Sequence, residues 1–203
     1  YAFPQSFLLI VIVSFAASAV AQKSGGVLKR ANDENPPSAS IHEEGSNIVT
    51  TPFVPVFNNL VDFDPIKGMS RTDQLVPELA TSWSWSADNK TLTFKLRRGV
   101  KWHDGKPFTS ADVKCTWDAV TQKREAGWRK SPRQAWYSNL QEITVEGEDQ
   151  VSFRLARPQP SFLSFFAGGK SPVYPCHVDG RQMRQHPIGT GPFMVKSFEQ
   201  GKM

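Results

Sequence analysis

The chain has 203 residues, and its 24 Lys and Arg residues outnumber its 19 Asp and Glu residues, which gives a formal net charge of +5. Hydrophobic residues make up 39% of the chain and charged residues 21%, a balance that excludes an intrinsically disordered protein. The single long apolar run, residues 7–20, excludes a multi-span membrane protein, and the scattered cationic residues argue against a nucleic-acid partner.

Residues 1–21 have the pattern of a secretory signal peptide. Their apolar run ends in the small residues Ala19-Val20-Ala21, an A-x-A signal that predicts cleavage before Gln22. Neither Met nor a basic residue precedes the run, so we expect the reading frame to be cut at its start. An uncleaved anchor helix is the alternative to a cleaved leader. No Cys stands at the cleavage point, which argues against a lipid anchor, and we expect an exported, soluble mature protein.

The first half of the mature chain predicts a strand, a helix and a hairpin in that order. Residues 26–30 favour a short strand. Thr51 followed by Pro52 predicts the start of a helix, and residues 53–60 carry an apolar stripe at helical spacing. Apolar and polar residues alternate on both sides of the polar turn 87–90, which predicts a half-buried β-hairpin.

The second half predicts a capped helix and another hairpin. Residues 109–112 fit a capping box, and the apolar residues that follow at spacings of four and three predict a helix. Residues 143–145 and 151–155 flank a polar turn and predict a second hairpin. The apolar stretch 161–166 predicts a short helix or turn, and residues 193–197 predict a closing strand. Hairpins mixed with helices indicate an α/β fold whose mixed sheet contains antiparallel pairs.

Residue types that carry enzyme chemistry are present, but not in a recognisable arrangement. The four histidines lack the H-E-x-x-H spacing of a helical zinc site, so we expect neither a metal nor a cofactor. No G-x-S-x-G elbow occurs, and residues 189–191 lack the Lys and the Ser or Thr of a phosphate-binding loop. His103 and Asp104 are an imaginable acid–base pair, but neighbours in a tight turn tend to point apart. The sequence does not look like that of an enzyme.

The chain has two cysteines, Cys115 and Cys176. In an oxidising compartment, an even number of cysteines permits one disulfide, which would close a loop of about 60 residues and stabilise the fold. A buried free thiol at Cys115 is an equally good interpretation of the sequence. Both alternatives stay open on the residues alone.

Trp136 and Tyr137 are candidates for lining a ligand cleft. They lie in a loop-rich stretch, whereas most other tryptophans fall on strand or helix faces and are explained as core residues. Exposed Trp and Tyr side chains line many clefts because they offer large, rigid apolar contact at low entropic cost. Burial in the core is the alternative for both residues.

Three stretches of the sequence are specific enough to suggest a family. Residues 76–83 read VPELATSW, residues 92–113 read LTFKLRRGVKWHDGKPFTSADV, and residues 187–193 read PIGTGPF. Together they closely resemble the extracytoplasmic solute-binding proteins of the peptide/nickel/oligopeptide ABC importers, known as solute-binding protein family 5. The resemblance covers essentially all of residues 25–203.

This resemblance implies a periplasmic-binding-protein-like clamshell of two lobes. It places residues 22–45 and 180–203 in the first lobe and residues 46–179 in a smaller accessory mixed α/β domain of the same lobe. We expect the second lobe to be missing, so that the chain is an N-terminal fragment. Residues 189–192 then form a structural turn that re-enters the first lobe.

The same resemblance implies a function without bond chemistry. The protein would capture a peptide or another small solute in the periplasm and deliver it to an ABC permease in the inner membrane, as a monomer. The loop Ser38-Ala39-Ser40 would face the cleft, and Trp136 and Tyr137 would line it. A secreted hydrolase that uses His103 and Asp104, and a chaperone-like envelope peptide binder, are the competing hypotheses.

Overall fold

A computed structural model describes residues 25–27, 29, 34–67, 72–124 and 127–199 of the chain. The predicted leader and its cleavage point lie outside the described residues, as do two residues of the strand predicted at 26–30, whose other residues form no strand. All elements described below belong to the unit Asn32–Met203. Within the described ranges, none of the helices has the length and hydrophobicity of a membrane span.

Three α-helices and six β-strands form the regular structure of these residues. In chain order they are α1 (Asn47–Phe53), β1 (Val61–Phe63), β2 (Leu75–Pro77), β3 (Ala80–Trp85), β4 (Thr91–Leu96), α2 (Ser110–Val120), β5 (Leu140–Glu146), β6 (Gln150–Leu155) and α3 (Gly180–Gln185). Short 3-10 helices occur at Ile41–Glu43, Val54–Val56, Thr72–Gln74, Gln134–Tyr137 and Pro160–Phe166.

A four-stranded sheet with the order β3-β4-β6-β5 is the centre of the fold, and every pair in it is antiparallel. Both predicted hairpins are confirmed, since β3 pairs with β4 and β5 pairs with β6. Alternate residues of β4 and β6 are buried, so one face of the sheet is apolar. Strands β1 and β2 form a separate two-stranded sheet.

Helix α2 packs on the apolar face, and its predicted capping box is confirmed. The Thr109 side chain accepts from the third helical N–H, and the Asp112 carboxylate accepts from the Thr109 N–H at 2.8 Å. Trp117 is fully buried, with its ring centroid 5.5 Å from that of Phe153 in β6 and 5.0 Å from that of Phe166. The apolar stretch predicted as a short helix or turn is the 3-10 helix that supplies Phe166.

The start predicted for the first helix is wrong. Helix α1 begins at Asn47, because the Ser46 hydroxyl accepts from the Ile48 N–H at 3.1 Å and caps the helix five residues earlier than predicted. Pro52 therefore lies inside α1 rather than at its first position. Its missing N–H removes a hydrogen bond only in the last turn, after which the chain continues as a 3-10 helix.

The closing strand predicted at 193–197 is also wrong, since these residues form no strand. The segment pairs with a 3-10 turn instead of a strand: Gly191 N–H donates to Val56 C=O at 2.9 Å, and Phe193 N–H donates to Pro55 C=O at 3.2 Å. The residue pattern of 193–197, from which the strand was predicted, carries no information about this distant partner. Both glycines of the turn are required here, because a Cβ at Gly189 or Gly191 would overlap the backbone of residues 55–57.

Two apolar clusters hold these elements together. The larger one joins the sheet, α2 and the 3-10 helix Pro160–Phe166. The second one unites residues from both ends of the described unit, namely Ala39, Ile41, Val49, Phe53, Val56, Phe57, Tyr174, Val178 and Met183. The boundaries expected between lobe and accessory domain, at 45/46 and 179/180, stay a prediction.

Candidate ligand-binding groove

An open groove of about 750 Å³ runs along the 3-10 helix Gln134–Tyr137. Its walls come from the loop before that helix, the start of β5, the end of α2 and the segment that precedes α1. The lining residues are Glu43, Gly45, Thr121, Lys123, Lys130, Ser131, Pro132, Gln134, Ala135, Tyr137, Ser138 and Leu140. Most of these side chains are polar or charged, and Pro132, Ala135 and Leu140 add apolar surface.

In the structure, Tyr137 is a core residue and Trp136 is a surface residue. Tyr137 borders the groove, but it is only 3% exposed, and its hydroxyl donates to Phe165 C=O at 3.2 Å. Burial raises the pKa of the Tyr137 hydroxyl, so the ring stays neutral at physiological pH. Trp136 is 41% exposed and packs against Phe165 at a centroid distance of 5.6 Å. It stands beside the groove residues without lining the groove, and its contact with a ligand stays a prediction.

The loop Ser38-Ala39-Ser40 is buried beneath other residues of this chain. Each of the three residues is at most 1% exposed, and the Ser38 hydroxyl accepts from the Ser40 N–H at 3.0 Å. The Ala39 N–H donates to Arg184 C=O at 2.9 Å. In this structure, therefore, none of these three side chains lines the groove, and the residue of the same segment that does is Glu43.

Glu43 is a groove residue that the sequence did not single out. Its side chain is 1% exposed, and the Arg184 guanidinium contacts its two carboxylate oxygens at 2.8 and 3.0 Å. The Arg129 N–H donates to the same carboxylate at 2.6 Å. The two ion-pair partners are 141 residues apart, so no local pattern could have found them.

A second guanidinium, that of Arg133, lies buried next to the groove residues Pro132 and Gln134. Arg133 is 5% exposed and donates to the carbonyls of Glu44, at 2.9 Å, and of Ile41. Its Nε has no partner among the described residues. Burial lowers the pKa of Arg133, although an arginine in a protein stays protonated. The positive charge is thus held in the interior without a carboxylate partner in the described part of the chain.

Arg133 also acts on a buried histidine. His42 is 5% exposed, and its Nε2 lies 2.6 Å from Pro172 C=O. Burial, together with the Arg133 charge, lowers the pKa of His42 to about 3. The imidazole is therefore neutral at physiological pH and donates its Nε2 proton to Pro172.

The other residues considered for chemistry are held in structural contacts. Gly189 N–H donates to Nδ1 of His103 at 3.3 Å, so the ring proton is on Nε2, which donates to Gly191 C=O at 2.8 Å. Asp104 contacts His177 at 2.7 Å instead of His103. In the described ranges, no group of three or more His, Cys, Asp and Glu residues is placed to hold a metal ion.

Cys115 on α2 and Cys176 before α3 form a disulfide in the structure, with their Cα atoms 5.4 Å apart. The Asp112 carboxylate that caps α2 also accepts from the Cys176 N–H at 2.7 Å. The bond therefore joins the capped helix to the segment that leads into α3, away from the groove.

Comparison with known families identifies the chain. The family described as bacterial extracellular solute-binding proteins, family 5 Middle, matches residues 74–203. The chain belongs to this family. The matched residues include all three stretches, 76–83, 92–113 and 187–193, so the resemblance stated from them is confirmed.

Individual relatives agree with this assignment. The dipeptide-binding protein of Escherichia coli K12 is 29% identical over 72% of this chain, and a peptide-binding protein of Brucella ovis named for an ABC transporter is 32% identical over 71%. The solved structure of the solute-binding protein MoaA of A. tumefaciens R10, in complex with mannopinic acid, covers 84% of this chain with a TM-score of 0.73 and 28% identity.

This chain spans about a third of the length of these proteins, namely 30% and 27% of the two sequence relatives and 34% of the MoaA chain. The structural similarity confirms a fold of the periplasmic-binding-protein type with mixed α/β content.

Proposed function

We propose that this chain is part of the solute-binding component of an ABC importer, which captures a peptide or a related small solute in the periplasm and delivers it to an inner-membrane permease. The observation that carries the proposal is the match of residues 74–203 to a family of solute-binding proteins. The names of the relatives support the class of ligand and partner: one is a dipeptide-binding protein, and another is named for peptide binding in an ABC transporter.

The groove has the properties that such a role requires. It offers about 750 Å³ with polar groups at fixed positions, but it is open, so a ligand in it would stay partly in water. A second wall that closes over the groove would bury the solute and strengthen its polar contacts. The solute would then bias the equilibrium between open and closed forms, and the closed form would dock on the permease.

The proposal excludes catalysis by this chain. His103 and Asp104, the pair on which a secreted hydrolase would depend, bind the 189–191 turn and His177 instead of each other. We further infer an exported monomer that uses neither nucleic acid nor a cofactor. No contact in the described residues favours the chaperone-like alternative.

The test is a thermal-shift screen of the intact protein that contains this chain, with di- and tripeptides and sugar acids. We expect a solute present at 100 times its dissociation constant to add about 2.7 kcal/mol to the free energy of unfolding. Ala135→Trp, which fills the groove from an exposed position, should remove the shift, whereas Ala87→Trp at an exposed position in the β3–β4 turn should not. A screen in which no solute raises the melting temperature contradicts the proposed function.

A further inference from the structure

We propose that the groove receives a negatively charged group of the solute, such as a carboxylate, and that Lys123 and Lys130 select it. This inference rests on the proposed function, because it assigns a chemical class to the solute held in the same groove. Three observations carry it. Lys123 and Lys130 form no ion pair within the described residues, the Glu43 carboxylate is paired with Arg184, and the buried Arg133 guanidinium has no carboxylate partner there.

Lys123 and Lys130 each have ammonium N–H donors that no contact within the described residues uses. Both are exposed and both line the groove. The Lys123 ammonium donates to Gln141 C=O at 3.2 Å, which uses one of its three protons. Within the described part of the chain, neither lysine forms an ion pair with a carboxylate, unlike Lys114, which contacts Asp118 on the same helix. Their charges are therefore available to a ligand.

The acidic residue of the groove does not cancel these charges. Glu43 is the acidic residue among those that line the groove, and its carboxylate is bound by Arg184 through both oxygens. A carboxylate already paired in this way presents little net negative charge to a ligand. The lining residues taken with Arg184 carry more positive than negative charge.

The buried cation adds to the positive potential. The Arg133 guanidinium lies between two groove residues in sequence, is 5% exposed and has carbonyl partners only, so no carboxylate in the described residues neutralises it. Salt screens a buried charge less than an exposed one.

The contributions add up to a measurable preference. Exposed charge pairs contribute little individually, so we expect the two lysines together to favour an anionic solute over its neutral analogue by about tenfold. A cationic analogue should bind more weakly than the neutral one, because like charges repel.

The test uses isothermal titration of the intact protein with the dipeptides Ala-Glu, Ala-Gln and Ala-Lys, which differ in the charge of one side chain. We expect Ala-Glu to bind about tenfold more tightly than Ala-Gln, and Ala-Lys to bind most weakly. In the double variant Lys123→Gln/Lys130→Gln, the ratio between Ala-Glu and Ala-Gln falls towards one. The control Lys95→Gln/Lys101→Gln changes the net charge equally, at exposed residues that do not line the groove, and keeps the ratio.

The outcomes separate this inference from the proposed function. Equal affinities for Ala-Glu and Ala-Gln overturn the inference and leave the solute-binding role intact, and a ratio that survives in the double variant overturns the assignment to these lysines. Binding of none of the three peptides overturns peptide capture itself. In the unsubstituted protein, raising the salt from 0.05 to 0.5 M should shrink the ratio, because the rim charges are exposed, and a ratio independent of salt contradicts the proposal.

Discussion

At the scale of single residues, the groove is organised by buried charge. Glu43 with Arg184, and Arg133 with two backbone carbonyls, place charged groups in the interior, where each needs partners. His42, next to them, stays neutral because burial and the Arg133 charge both oppose its protonation. The segment 38–44 is thereby fixed to the loop 129–133 and to α3.

The low pKa of His42 predicts a loss of stability in acid. An unfolded histidine takes up a proton near pH 6.5, whereas His42 in the folded state does so only near pH 3, so protons favour the unfolded state between these values. We expect the free energy of unfolding to fall by about 2 kcal/mol from pH 7 to pH 5 on account of this group. Urea unfolding of the intact protein at both pH values measures it.

The control for this prediction is a variant in which a second histidine, His186, is replaced. In His42→Gln the 2 kcal/mol share of the pH dependence disappears, whereas His186→Gln, at an exposed position, keeps it. Identical pH dependence in the wild type and in His42→Gln would show that His42 does not resist protonation.

At the scale of elements, the sequence correctly predicted those helices and strands that local residue patterns determine. The two hairpins follow from alternation around polar turns, and α2 follows from its capping box, since all of these contacts lie close in sequence. The start of α1 is also set by a local contact, the Ser46 cap, but the Thr51-Pro52 pattern pointed to a later start. The path of residues 193–197 depends on the carbonyls of residues 55–56, which are far away in the sequence. The groove escaped prediction for the same reason, because Glu43 meets Arg184 only in the folded chain.

The turn at 189–191 should tolerate no side chain at its first glycine. A Cβ at Gly189 would overlap Val56 C=O, and the turn would have to leave the His103 ring that holds it. We expect Gly189→Ala to lower the free energy of unfolding by about 3 kcal/mol. In Gly45→Ala the nearest atom lies 3.8 Å away, so the change should be within about 0.5 kcal/mol. Equal stability of the two variants would refute the close packing of this turn.

The disulfide predicts a redox-dependent stability. Cys115 and Cys176 are separated by 61 residues, and closing a loop of that length stabilises a fold by about 4 kcal/mol in the chain-entropy treatment. Cys115→Ser/Cys176→Ser should lose that amount, and dithiothreitol should destabilise the wild type but not the double variant. Two titratable thiols in the unfolded, non-reduced protein would mean that the bond does not form.

At the scale of the whole molecule, the described residues combine an apolar base with an open groove. The sheet and α2 supply a rigid apolar base, and the loop 127–138 lies over it and carries most of the groove. The chain belongs to a family of solute-binding proteins, and the proposed solute-binding role would use this open groove as one side of a cleft.

Amide hydrogen exchange of the intact protein, with and without saturating Ala-Glu, tests most directly whether the solute occupies this groove. We predict slower exchange on binding at residues 130–138, where the groove-lining backbone would be covered, and unchanged exchange in the β3–β4 turn at 86–90. Saturating binding by calorimetry with unchanged exchange at 130–138 would contradict the account, because the solute would then be held elsewhere.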